Sequence, residues 1–135
     1  MISLPILVHL MCNLFMLAVI MFVQRVHYPT FVFVSPQKWK EFHAFHCRRT
    51  GQIVTLPMAF QVVSLFLISD CPWPLYVFNL LSIGTTAAVS MRLHNKLTQE
   101  FSRSDLNGLL KSDWIRILGW LGAVAQTLLL FRFQI

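Results

Sequence analysis

The chain has 135 residues, of which 56% are hydrophobic and only 12% charged, with a formal net charge of +6. A soluble domain carries about twice that charged fraction, so with a mean hydropathy of +0.64 an ordinary water-soluble enzyme is excluded. Nucleic acid is excluded as a partner too, because the basic residues flank apolar runs instead of gathering on a soluble face; anionic lipid headgroups are the partner they fit.

Four long stretches contain no Asp, Glu, Lys or Arg: 2–23, 53–69, 71–91 and 117–131. Since ~20 apolar residues cross a bilayer core, the chain reads as an all-α, polytopic membrane protein. The fold expected is an antiparallel four-transmembrane-helix bundle in one domain, 1–135, with helices at about 2–23, 36–69, 74–96 and 113–132.

The first span has no positive leader and no small-residue cleavage pattern before Gln24-Arg25, so it reads as a retained helix and not a signal peptide. His9 and Asn13 are its strongly polar members and share a face at i, i+4 spacing, which should point into the bundle. After Gln24-Arg25-Val-His27-Tyr28-Pro29 comes the apolar run Phe31 to Val34, expected to dip into the membrane interface with Tyr28.

Ser35-Pro36 opens the second helix, serine as cap and proline at the first helical position. Along it Trp39, His43, His46, Thr50, Val54, Pro57, Gln61 and Ser64 fall on one face at about 100° per residue, and Pro57 should bend it. Asp70-Cys-Pro-Trp-Pro74 is a tight turn without a basic residue. The third helix carries Asn79 and a small-residue patch, Gly84-Thr-Thr-Ala-Ala88, suited to close backbone approach, and continues through His94 to Lys96. Residues 97–111 read as a solvated loop with room for a helical turn, with Ser112-Asp113 capping the fourth helix and Gln126 as its internal polar residue. His9, Asn13, Gln61, Asn79 and Gln126 are thus the expected interior polar set; Trp39, Arg49, Trp114 and Arg116, with Trp120, are the expected interface anchors.

Arg25, Lys38, Lys40, Arg48 and Arg49 lie in the first connection and Arg92, Lys96, Arg103 and Lys111 around the third, while the second turn has none. The positive-inside rule then predicts a multi-pass protein of the cytoplasmic (inner) membrane with both ends of the chain extracytoplasmic. Cys12, Cys47 and Cys71 give no disulfide framework and are read as reduced thiols.

This topology brings His27, His43, His46 and His94 to one membrane face, at the ends of three helices. Imidazole is a frequent metal ligand, so a metal or haem site is expected there, weighed against a purely hydrogen-bonding role. Membrane di-iron hydroxylases resemble the chain only weakly, because that class uses more histidines, in repeated clusters, than the five present here. Cys47 follows His46 directly, and adjacent helical residues do not face each other, so a Cys–His nucleophile is not expected.

Val-His27-Tyr-Pro29, Phe42-His43-x-x-His46-x-x-Arg49, Pro57-Met, Leu-His94-Asn-Lys-Leu and Asp113-Trp-Ile-Arg116 followed by Trp120 together resemble a bacterial group of small four-helix membrane proteins. That group is similar in outline to the anthrone-oxygenase-like family. The resemblance implies an oxygenase or redox activity on a hydrophobic substrate, although Gln61 stands where the family outline has a carboxylate. The alternative is a non-catalytic accessory or assembly subunit, or a small oligomeric transporter, with a second copy or another membrane protein as partner.

Overall fold

Apolar runs long enough to cross a bilayer leave the backbone to satisfy its own polar groups within each segment, which makes helix the natural outcome. The computed structural model describes residues 3–133, which are helical apart from short connections, with no strand among them. α1 is α-helical over Leu4–Phe22, widens into a π turn at Val23–His27 and tightens into a 3-10 segment at Tyr28–Phe33. α2 is Pro36–Leu67, running on through Pro57. α3 spans Trp73–Gln99 and contains two π segments, Leu80–Gly84 and Thr86–Ser90. α4 is Arg103–Phe133. All four helices are long and apolar enough to cross a membrane.

Short connections make successive helices antiparallel neighbours, with α1 packed on α2 and α4, and α4 also on α3. The outward faces are apolar, with Leu4, Phe66 and Leu80 exposed, as befits a surface solvated by lipid. Inside, the core forms three clusters: Ile6, Leu65, Ile68 and Leu75 with Ala123; Met16, Ile20, Ile117 and Trp120; and Tyr28, Phe31, Trp39 and Leu97 with Leu106 and Leu109.

Between the apolar clusters lies a polar hub drawn from all four helices. The Gln61 amide donates to Asn13 Oδ1 (3.0 Å) and Asn79 Oδ1 (2.6 Å), and its Oε1 accepts from Trp120 Nε1 (3.2 Å). His9 Nδ1 lies 3.1 Å from the Gln61 carbonyl, and Asn79 Nδ2 donates to His9 Nε2 at 3.3 Å. Four of the five expected interior polar residues thus meet in one network. Gln126 is half-buried and stands outside it, and Thr127 takes the buried position, its hydroxyl donating to the Ala123 carbonyl.

Several expectations are corrected. The run 28–33 is divided: Tyr28 and Phe31 turn inward, Phe31 meeting His46 edge-on at 5.1 Å between ring centres, while Val32 and Phe33 are exposed. Residues 97–111 are not a long loop. The Ser102 hydroxyl accepts the Asp105 N–H (3.2 Å), α4 starts at Arg103, and Leu106 and Leu109 enter the core. Ser112-Asp113 is therefore interior helix and not a cap. Ser35 occupies the cap position of α2, yet its side chain makes no capping bond. Close backbone approach occurs not at Gly84 but at Gly119, where an added Cβ would lie 2.8 Å from both Phe78 O and Ser82 N.

Candidate metal centre

α2 carries its polar face toward the bundle axis, so Trp39, His43, His46, Gln61 and Ser64 are all buried. Trp39 is no interface anchor. Its indole stacks on His43 at 5.2 Å and donates to the Leu97 carbonyl (2.6 Å), tying the start of α2 to the end of α3. That tie brings His43 to His94. The π turn in α1 then sets His27 and Tyr28 against the same group.

His43 Nε2 lies 3.2 Å from His94 Nδ1, and Cys47 Sγ lies 3.8 Å from each of these nitrogens. A tetrahedral ion with bonds of about 2.05 Å to nitrogen and about 2.3 Å to sulfur requires N···N near ~3.3 Å and N···S near ~3.6 Å. The three donors therefore stand almost at the edges of such a site, with all ligand atoms within 4.8 Å of one another.

The second nitrogen of each imidazole is also held, although His43 Nδ1 lies as near Cys47 Sγ (3.7 Å) as Nε2 does. The Thr98 hydroxyl donates to the His94 carbonyl (2.9 Å), which leaves its lone pairs to accept from His43 Nδ1 at 3.2 Å. His94 Nε2 lies 2.9 Å from the Tyr28 hydroxyl. With the outer nitrogens so occupied, the inner ones can turn lone pairs toward a common ion, the arrangement that orients metal-binding histidines.

Only two of the four expected histidines belong to this triangle. His27 and His46 form a neighbouring pair, His27 Nε2 to His46 Nδ1 at 2.7 Å, with His46 5.4 Å from the His94 ring centre. Cys47 is the donor that adjacency to His46 hid: its relevant spacing is i, i+4 from His43, which puts both on one side of the helix. The free thiols of Cys12 and Cys71 lie elsewhere.

A cavity of about 410 Å³ adjoins the triangle, lined by His46, Cys47 and His94 together with Met58, Arg116 and Trp120. Arg116 is inside the bundle and not an interface anchor, ion-paired to Asp113 one turn earlier; the pair offsets its own charge, which permits burial. Trp114 is exposed with Arg25 over its ring, and Arg49 is exposed beside Phe45. Comparison of the chain with protein families, with curated proteins and with solved structures gave no match, so its function is read from this geometry alone.

Proposed function

We propose that this chain is an integral membrane redox metalloprotein in which His43, Cys47 and His94 hold a transition metal ion beside a cavity that admits a hydrophobic substrate. The observation that carries the reading is the triangle of donor atoms, at 3.2, 3.8 and 3.8 Å, assembled from two helices. Two imidazoles and one thiolate suit copper, zinc or iron better than magnesium or calcium, which take oxygen ligands. Three donors on one side of an ion also favour a bare metal over haem, whose axial ligands stand on opposite faces of the porphyrin. Bound there, copper or iron supplies one-electron chemistry. The chain's own residues supply the rest: Thr98 and Tyr28 orient the imidazoles, and the apolar lining of the adjoining cavity would exclude water from the donors.

The orientation that fits this reading puts the centre at the cytoplasmic face, since Lys38, Lys40, Arg48, Arg92 and Lys96 gather at that end. The test is cobalt substitution of the detergent-purified protein. A stoichiometric Co²⁺ complex with a sulfur-to-metal charge-transfer band is expected. Cys47→Ser should abolish the band while leaving the helical circular dichroism unchanged. No binding, or an identical spectrum in Cys47→Ser, would sink the assignment.

A further inference from the structure

α2 and α3 are tied together at two levels and stand apart between them. Toward one end the Gln61 amide donates to Asn79 Oδ1 (2.6 Å), and Leu65 shares a cluster with Leu75. Toward the other, the Trp39 indole donates to the Leu97 carbonyl (2.6 Å) and His43 Nε2 meets His94 Nδ1 (3.2 Å). The close backbone approach of α2 to α3 is at Met91–Gln99. Between the two levels the Thr55 and Thr86 hydroxyls bond back to their own helices, to the Gly51 and Ser82 carbonyls, instead of crossing.

The cavity of about 410 Å³ occupies that gap. Its floor, Met16, Ile20 and Trp120, is buried, whereas Thr55 on α2 and Met91 and Asn95 on α3 line it and are exposed. A cavity with a buried floor and an exposed rim on two adjacent helices opens between them, as a window. Gly51 lines the α2 side without a side chain, and the α3 side includes the π segment Thr86–Ser90, a distortion frequent at functional sites.

Depth decides what stands outside that window. Asn13, in the hub, lies midway along the charge-free run 2–23, and Arg25, Arg49 and Arg92 flank the ends of such runs. In a bilayer the window therefore faces the hydrocarbon of one leaflet, from the headgroup level toward the middle. Water is a poor filling for a cavity walled largely by carbon, and an empty one forfeits dispersion contacts along its walls. An alkyl chain supplies those contacts. Arg92 and Lys96 are exposed on the turns of α3 that carry Met91 and Asn95, which puts positive charge at the outer edge of the window, where a lipid phosphate stands.

We propose that the window between α2 and α3 admits one acyl chain of an anionic phospholipid, its end against Met16 and Trp120 and its phosphate outside, at Arg92 and Lys96. This rests on the function proposed above only in naming the chemical class that reaches the donors; it stands on the cavity and not on the ion. It is tested on metal-free protein, so a failure to bind cobalt leaves it standing.

The full chain in lipid nanodiscs, stripped with a chelator, is photolysed with phosphatidylglycerol carrying a diazirine near the end of one acyl chain. Adducts mapped by mass spectrometry should fall on buried Met16 as well as on lipid-facing Phe66. The same chain on phosphatidylcholine should label Met16 roughly fivefold less relative to Phe66, about the effect of one basic residue on an anionic headgroup. Gly51→Phe adds a side chain where nothing lies within 4 Å, and Thr55→Trp enlarges the exposed rim. Both should abolish the Met16 adducts and leave those on Phe66, which reports that the bundle is still folded. Adducts confined to lipid-facing residues, equal labelling of Met16 by the two lipids, or Met16 adducts that persist in both variants would each overturn the proposal.

Discussion

At the scale of single residues, Thr98 shows how much of the proposed metal centre lies outside its donor side chains. It is an exposed residue on the last turn of α3, yet its hydroxyl joins the His94 backbone to the His43 ring. Thr98→Val keeps the shape and removes that link. Metal affinity should fall by roughly 10- to 100-fold, as is usual when the outer partner of a ligand histidine is lost. Competition with a chelator measures it; an unchanged affinity would mean that His43 is oriented by Trp39 alone. The sequence made the histidines conspicuous, since imidazoles are scarce in a chain of this composition. It concealed Cys47, because cysteine passes for a small apolar residue in a membrane helix and only the His43-x-x-x-Cys47 spacing marks it out. Arg116 was misread for a related reason: a cation near a span's end is ordinarily an anchor, and only α4's earlier start takes it inside.

Elements were legible where composition decides them and obscure where local geometry does. Four apolar spans follow from charge-free runs, and the long polar face of α2 follows from its periodicity. The π turns do not, since nothing in Val23 to His27 or Thr86 to Ser90 departs from ordinary helical composition; tertiary packing widens those turns. The start of α4 was missed because Asn107-Gly108 reads as a turn, although Ser102-x-x-Asp105 was already a capping pattern. Glycine likewise has to be judged by what it faces. Gly119→Ala would drive a methyl onto the backbone of α3 and should destabilise the bundle by about 1–3 kcal/mol. Gly51 has nothing within 4 Å, so Gly51→Ala should be neutral or stabilising by up to about 1 kcal/mol. Unfolding titrations in mixed micelles of the two variants separate them, and equal effects would contradict the close contact of α3 and α4.

For the whole molecule, the all-α bundle was readable from hydropathy alone, because a bilayer permits so few ways to satisfy the backbone. Orientation rests on charge asymmetry, and the proposed topology makes it testable. Ser69→Cys, in the turn between α2 and α3, should react with a membrane-impermeant maleimide on intact cells. Lys40→Cys, beside the donor triangle, should react only after permeabilisation; the reverse pattern would invert the topology. The hub around Gln61 has a mechanical consequence. It bonds His9 and Asn13 of α1, Gln61 of α2, Asn79 of α3 and Trp120 of α4 side chain to side chain, so it fixes the depth of each helix against the others. Sliding one helix along another by a single residue, about 1.5 Å, would break several of these bonds at once, so the hub locks the register of the bundle.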